Sequence, residues 1–455
     1  MKYKLFLLPW MLILCILGCN NGGGNNGFVP TPSSQEELVL RKFVVIGDSL
    51  SSGYQSGGLS EEFQINSYPN QMARQMGKES EFEQPIVNFP GIGGTLGRTP
   101  LRFENGIIFD EPLLVDPFSL LDNITLTRPY DNLGIPGAAL FDTQNTLFDS
   151  SNPFFEVVLR NPLLGNSTQL EQALDLNPSL LVVWIGNNDI LASATNGGDV
   201  SLITPTAQFQ NEYSDLLTEI RDRTGAFVVL GNIPNVTDIP FVNALDGIFR
   251  TDTILGPTPV PVVFDTTFTP VDFGAGLYIP LLTTESNLAH VLISGLGAYQ
   301  SGIGIPDQTA LEGYGFNSLT AAALVAGMQG AGLITSGIAL PGTTTMTVSE
   351  ETAISNAEAS FNTSIQSLAL QFNMPVVDLR SSLTTLNSIG IEGFTGNYVL
   401  QDPINTAFSL DGVHANNAGY AIIANLLITA INDSFSVNIP LTDPEIYRGQ
   451  YASGL

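Results

Sequence analysis

Four short apolar runs constrain this chain most. Phe43-Val44-Val45-Ile46-Gly47 is uncharged and β-branched and ends on glycine; Leu180 to Ile185 is stopped by Gly186, and Ala226 to Leu230 by Gly231. Met374 to Val377 reads as a fourth run of the same kind. None alternates polar with apolar residues. An uninterrupted apolar strand has both faces buried, which is the situation inside a parallel sheet covered by helices on each side. Helical patterns fall between the runs. Thr204-Pro205 is expected to cap and open a helix on which Phe209, Tyr213, Leu216, Leu217 and Ile220 share one face. Residues 347–372 predict another, opening on Thr347 and Glu350–Glu351. A last helix over about 416–433 turns Ile422, Ile423, Leu426, Leu427, Ala430 and Ile431 inward. Strands alternating with helices give an α/β fold, a three-layer α/β/α arrangement on a parallel sheet.

The chain has 455 residues, more than one ordinary domain needs, so a large domain with an insertion or two domains is expected. The stretch at about 241–345 is the candidate insertion: it is rich in Gly, Thr, Pro and Leu and has no clear period. Within it Ser318 to Leu340 is apolar, but Gly327, Gly330, Gly332 and Gly337 interrupt it. We read it as a buried or lid-forming helix and turn rather than a membrane span. Phe273, Leu277, Ile279, Leu281 and Leu282 are read as core, with the lining of an acyl pocket as the alternative.

Charge excludes a class of partner. There are 43 acidic and 15 basic residues, a formal net charge of −28, and such a surface repels phosphate, so no nucleic-acid partner is expected. Two histidines and two cysteines cannot supply an ordinary structural zinc site, and no metal or cofactor is expected. Chemistry that needs an imidazole must use His290 or His414.

The N-terminus reads as an export signal. Lys2 and Lys4 precede an apolar run from Leu5 to Leu17 that is short for a membrane span. The run ends Ile16-Leu17-Gly18-Cys19, which resembles a bacterial lipobox with residues 1–18 removed and Cys19 lipidated. Residues 19–38, glycine- and asparagine-rich, would then be a flexible tether to the membrane, with a mean reach of roughly 20 Å over fifteen residues. The expectation is an exported envelope lipoprotein, sorted to an outer membrane, whose folded part spans 39–450. Its lipidated cysteine is unavailable for a disulfide, so stability must come from packing.

Four segments carry the chemistry. Gly47-Asp48-Ser49-Leu50 follows the first strand, placing a serine at the carboxyl end of a parallel strand, where α/β folds bind ligands; an ordinary turn with Ser49 as helix cap is the plain alternative. Asp131 to Ala138 brings Gly137, where a backbone N–H can approach a ligand closely. Gly186-Asn187-Asn188-Asp189 places a side-chain amide at a strand end, suited to an oxyanion or equally to an Asx-turn. Asp411-Gly412-Val413-His414 lets a carboxylate fold back on an imidazole just before the last helix. His290 has no such neighbour in sequence and lies in a helical-looking apolar segment, so it reads as a core or lid histidine.

Taken together and in this order, the four segments resemble the SGNH (GDSL-type) serine hydrolases, and in particular exported lipoproteins of that family. Further likeness lies in Asn66-Ser67-Tyr68-Pro69-Asn70, Trp184 to Ile190, Gly231-Asn232-Ile233-Pro234, Phe408 to Asp411 and Ile439-Pro440-Leu441. The resemblance covers roughly 40–240 and 345–450. It implies a flavodoxin-like fold, Ser49 as nucleophile, His414 as base and Asp411 as its orienting acid. It also implies an oxyanion hole from the Ser49 and Gly137 N–H groups and the Asn188 amide. The activity implied is ester hydrolysis of the lipase or carboxylesterase type through an acyl-enzyme on Ser49. The alternative is a non-catalytic surface lipoprotein that binds a glycan or envelope partner on the same scaffold. The insertion matches nothing in the family and is the expected seat of substrate specificity.

Overall fold

The computed structural model describes residues 34–450 apart from 96, 106, 161 and 162. The signal and Cys19 lie outside the described residues. The first described element is a short helix, Gln35–Val39, whose Ser34 cap accepts from the Glu37 N–H. Val39 is buried, and the helix that leads to it occupies 35–38 of the segment expected to be tether.

A five-stranded sheet forms the centre. Its strands are β1 (Phe43–Gly47), β2 (Asn132–Gly134), β3 (Leu180–Trp184), β4 (Phe227–Gly231) and β5 (Val376–Val377). They lie in the order β5-β4-β3-β1-β2, every pair parallel. This is the α/β sheet that the apolar runs predict. Side chains alternate between the faces and so divide each run between two cores. Val44 and Ile46 of β1, with Leu181, Val183 and Leu230, face one core; Phe43 and Val45, with Leu180, Val182 and Val229, face the other.

Among the helices are α1 (Ser49–Ser52), α2 (Tyr68–Gln75), α3 (Asn188–Thr195), α4 (Thr206–Arg223), α5 (Ser318–Gly330), α6 (Val348–Phe372), α7 (Leu379–Ser388) and α8 (Asn417–Phe435), and of these all but α5 pack on the two faces. On the first face α4 buries the predicted Phe209, Tyr213, Leu216, Leu217 and Ile220, and Phe209 stacks on Phe361 of α6 with ring centres 4.1 Å apart. On the second, Tyr68 and Met72 of α2 meet Tyr420, Leu427, Ile428 and Ile431 of α8. Each such buried side chain contributes about 1.5–3 kcal/mol of transfer free energy. α8 is long and apolar enough to cross a membrane, yet it packs inside the fold with 56% of that window buried.

Local rules fix most helix starts. At α6 Thr347 accepts from the Glu350 N–H and Glu350 accepts from the Thr347 N–H, a reciprocal cap. α4 differs from expectation: Pro205 occupies the cap position without a side-chain bond, and the Thr204 N–H donates to the Asp189 carbonyl instead. β5 spans only Val376–Val377 rather than four residues. β2 has no apolar run behind it at all. It is short and held partly by side chains: Asn132 donates to the Ser51 carbonyl at 2.8 Å and accepts from the Gly134 N–H at 3.0 Å.

The stretch between β4 and α6 builds a core of its own around Leu245, Ile248, Phe264, Tyr299, Leu311 and Met328. Ile279 and Leu281 belong to it, and Phe273 and Leu277 pack against it. The apolar Ser318–Leu340 stretch supplies helix α5 and a following turn. Only Ala321, Leu324 and Met328 of α5 are buried. His290 lies not in a helix but in a strand, Leu288–Val291, antiparallel to Thr345–Thr347. Backbone pairing there, with a register shift between Leu288 and His290, outweighs the apolar pattern of its neighbours.

Candidate active site

Register decides which loops meet. Gly47 at the end of β1 pairs with Gly134 on one side and Trp184 on the other. The chain therefore leaves all three strands at one edge of the sheet, which gathers Ser49, residues 135–138 and residues 187–188. Gly47 must be glycine: a Cβ would lie 2.0 Å from the Ser51 Oγ and 2.9 Å from the Trp184 carbonyl. The helix cap is Asp48, not Ser49. Its Oδ1 accepts from the Leu50 N–H at 3.0 Å, and Ser49 becomes the first residue of α1. The Ser49 N–H is thus one of the helix-start donors that have no acceptor within the helix.

His414 arrives from a turn just before α8. Its Nε2 lies 2.9 Å from the Ser49 Oγ, and its Nδ1 lies 2.9 Å from the Asp411 Oδ2. Asp411 is fixed in turn. Its Oδ1 accepts from the Val413 and His414 N–H groups, each at 2.8 Å, and its Oδ2 accepts from the Gly57 N–H at 2.8 Å. Burial works against its charge, but the His414 ring and these N–H donors outweigh it and hold the carboxyl below its ordinary value. A carboxylate only accepts, so the proton between them sits on Nδ1, and the Nε2 lone pair faces the serine hydroxyl.

Asn188 and Asp189 together clamp the segment after β2. The Asn188 amide donates to the Ala138 carbonyl at 2.8 Å, and Asp189 accepts from the Leu140 N–H at 2.8 Å. An amide carries two N–H groups, so the second of Asn188 remains for a ligand. Gly137 has a φ of +80°, in the left-handed region, and is exposed. Gly137, Asn188, Ser49 and His414 line one cleft together with Tyr54, Pro136 and Asn152, about 530 Å³ in volume.

All the residues singled out for chemistry in the described part, Ser49, Gly137, Asn188, Asp411 and His414, therefore meet. His290 stands apart and bonds to two carboxylates at other positions. Sequence reasoning missed three supports. The Asn187 amide donates to Asp48 at 2.8 Å, tying the ends of β1 and β3 beside the serine. Burial pushes the Asp48 carboxyl up to about 6, partly offset by that amide and the Leu50 N–H. The Tyr54 ring lies against the His414 ring, centroids 4.7 Å apart. Asp48 and Asn187 stood inside quoted motifs, whereas nothing in the sequence marked Tyr54. Neither cavity at the serine is lined by Phe273, Leu277, Ile279, Leu281 or Leu282; Ile279 and Leu281 are core, Phe273 and Leu277 pack against it, and Leu282 is half-buried. The insertion instead braces the histidine turn, where the Phe241 N–H donates to the Gly412 carbonyl at 2.8 Å.

Residues 43–254 match the model of a family described as GDSL-like lipase/acylhydrolase. Two solved structures are similar to the chain at 12% identity. One is the lipase/acylhydrolase from Enterococcus faecalis, matched over 88% of this chain and 99% of that one with a TM-score of 0.32. The other is an acetyl xylan esterase, matched over 86% and 99% with a TM-score of 0.32. No match was found among curated proteins.

Proposed function

We propose that this chain, an ester-hydrolysing serine hydrolase carrying a GDSL-like lipase/acylhydrolase domain, works through an acyl-enzyme on Ser49 and is held at a membrane by a lipid on Cys19. The observation that carries the catalytic reading is the line from Ser49 Oγ through the His414 ring to Asp411, each contact 2.9 Å. His414 Nε2 takes the hydroxyl proton while Oγ attacks the ester carbonyl. Negative charge grows on the carbonyl oxygen. The Ser49 and Gly137 N–H groups and the free amide hydrogen of Asn188 receive it. The imidazolium, steadied by Asp411, then protonates the departing alkoxide. Water enters by the same path in reverse, gives its proton to His414, and releases the acid. No step needs a cofactor, and the partner is the ester alone.

The lipidated N-terminus rests on the Ile16-Leu17-Gly18-Cys19 sequence and on the glycine- and asparagine-rich run that follows it. It leaves a leash of about fifteen residues between an envelope membrane, most simply the outer one, and the hydrolase. The test uses the full chain expressed in a bacterium. A fluorophosphonate should label Ser49, p-nitrophenyl acetate and butyrate should be cleaved, and both should vanish in Ser49→Ala. Undiminished cleavage by Ser49→Ala sinks the catalytic reading. Incorporation of labelled fatty acid that survives Cys19→Ala sinks the anchoring one.

A further inference from the structure

Two spaces open on Ser49 and His414, and they differ in kind. The cleft described above is open and partly polar, with Gly137, Asn152 and Asn188 in its wall. On the other side of the serine a narrower cavity of about 120 Å³ runs into the protein between α7 and α8. Its walls are almost wholly apolar and include Leu50, Leu383, Leu386, Phe408, Ile423 and Leu426. This explains a departure on α8: Ile423 and Leu426, expected to be core, are only half-buried because they face this space.

We propose that this cavity holds the acyl chain of the substrate and the open cleft holds its alcohol, so that the protein selects esters of short-chain fatty acids, about four to six carbons, with a polar alcohol. The assignment rests on the acyl-enzyme reading above. The acyl group stays bonded to Ser49 through half of the cycle, whereas the alcohol must leave and water must replace it. The half of the ester that stays suits the less open, apolar space, and the half that leaves suits the more open, partly polar one. His414 lines both, as it must to protonate an alkoxide on the cleft side while the acyl chain lies on the other. The size follows from volume. A cavity of about 120 Å³ is a little smaller than an apolar cavity of about 150 Å³ that takes benzene, and at about 30 Å³ for each water-sized group it holds about four methylenes. The lining comes from α7, α8, the segments around Ser49 and His414 and the residues that follow β3 and β4, and none of it from the insertion at 241–345, so chain length is set by the sheet-packed scaffold.

The test is a p-nitrophenyl ester series from acetate to palmitate with the full chain, read as kcat/KM. The expected profile rises with chain length, by up to about fourfold per buried methylene, peaks between butyrate and hexanoate and falls at palmitate. Leu383→Trp, which fills the cavity, should lower the hexanoate-to-acetate ratio at least tenfold. Leu386→Ala, which lengthens it, should move the peak to longer chains. A wild-type profile that is flat or highest at acetate overturns the cavity assignment while leaving ester hydrolysis intact. So does an unchanged ratio in either variant when it melts like the wild type. Absence of Ser49-dependent cleavage across the whole series defeats the catalytic reading itself.

Discussion

The two histidines sit in different regions and share half a geometry. His414 in the sheet-edge turn and His290 in the insertion each place Nδ1 within 2.9 Å of an aspartate oxygen. They part at the other nitrogen. His414 Nε2 meets the Ser49 hydroxyl, whereas His290 Nε2 lies 3.4 Å from a second carboxylate, Glu351. A carboxylate on one side orients an imidazole; what stands on the other side decides its use. Facing a hydroxyl, the ring is a base. Facing two carboxylates, the ring favours its charged form and links two elements, here the insertion strand and helix α6. Burial alone would lower the His290 pKa, but Asp246 and Glu351 outweigh it and the net shift is upward.

The comparison breaks most visibly at the serine. Ser49→Ala should lower kcat by about 10⁴–10⁶, measured on p-nitrophenyl butyrate, because it removes the nucleophile. Asp411→Asn comes next, at about 10⁴: the side chain keeps its shape but no longer fixes the proton on Nδ1. Its kcat, not KM, should carry the loss. Asn188→Ala should cost about 10²–10³ in kcat, one oxyanion donor. Binding of a substrate-shaped inhibitor should stay close to wild type, and a loss of binding instead would assign Asn188 to holding the 137–140 segment alone.

His290→Gln sharpens the other half. Ester hydrolysis should stay within twofold of wild type, while stability falls by about 1 kcal/mol, a modest figure because Asp246 and Glu351 are partly exposed. The sign follows from the raised pKa. The charged ring's contribution is fully present below the ordinary value of 6.5 and is lost as pH rises through the higher folded-state value. Chemical denaturation should therefore separate wild type from variant at mildly acid pH and bring them together in alkali. A gap that widens with pH would mean that the ring is held neutral.

The sites were unequally legible. Ser49, Asn188 and the Asp411–His414 pair stood at the ends of apolar runs or before a helix, and a strand end is where such folds expose side chains. The cores of α4 and α6 were legible because burial imposes a 3.6-residue period. β2 was not, since a three-residue edge strand stapled by Asn132 has no apolar pattern to read. His290 was read as lacking a partner, because Asp246 and Glu351 are 44 and 61 residues away in sequence. The insertion looked like the place for substrate contacts, yet its apolar residues were needed to make its own core.

The amino-acid sequence by itself determined the α/β class and the residues able to do acyl chemistry, because both rest on local pattern: apolar runs stopped by glycine, and polar groups set just beyond them. Tertiary structure decided which of two carboxylate-bound histidines faces a serine. It also decided that the sides of that serine are unlike, one an apolar cavity and the other a more open, partly polar cleft. Those distinctions depend on strand register and on α7 and α8 walling one cavity from two sides, which brings together groups that sequence separation keeps apart.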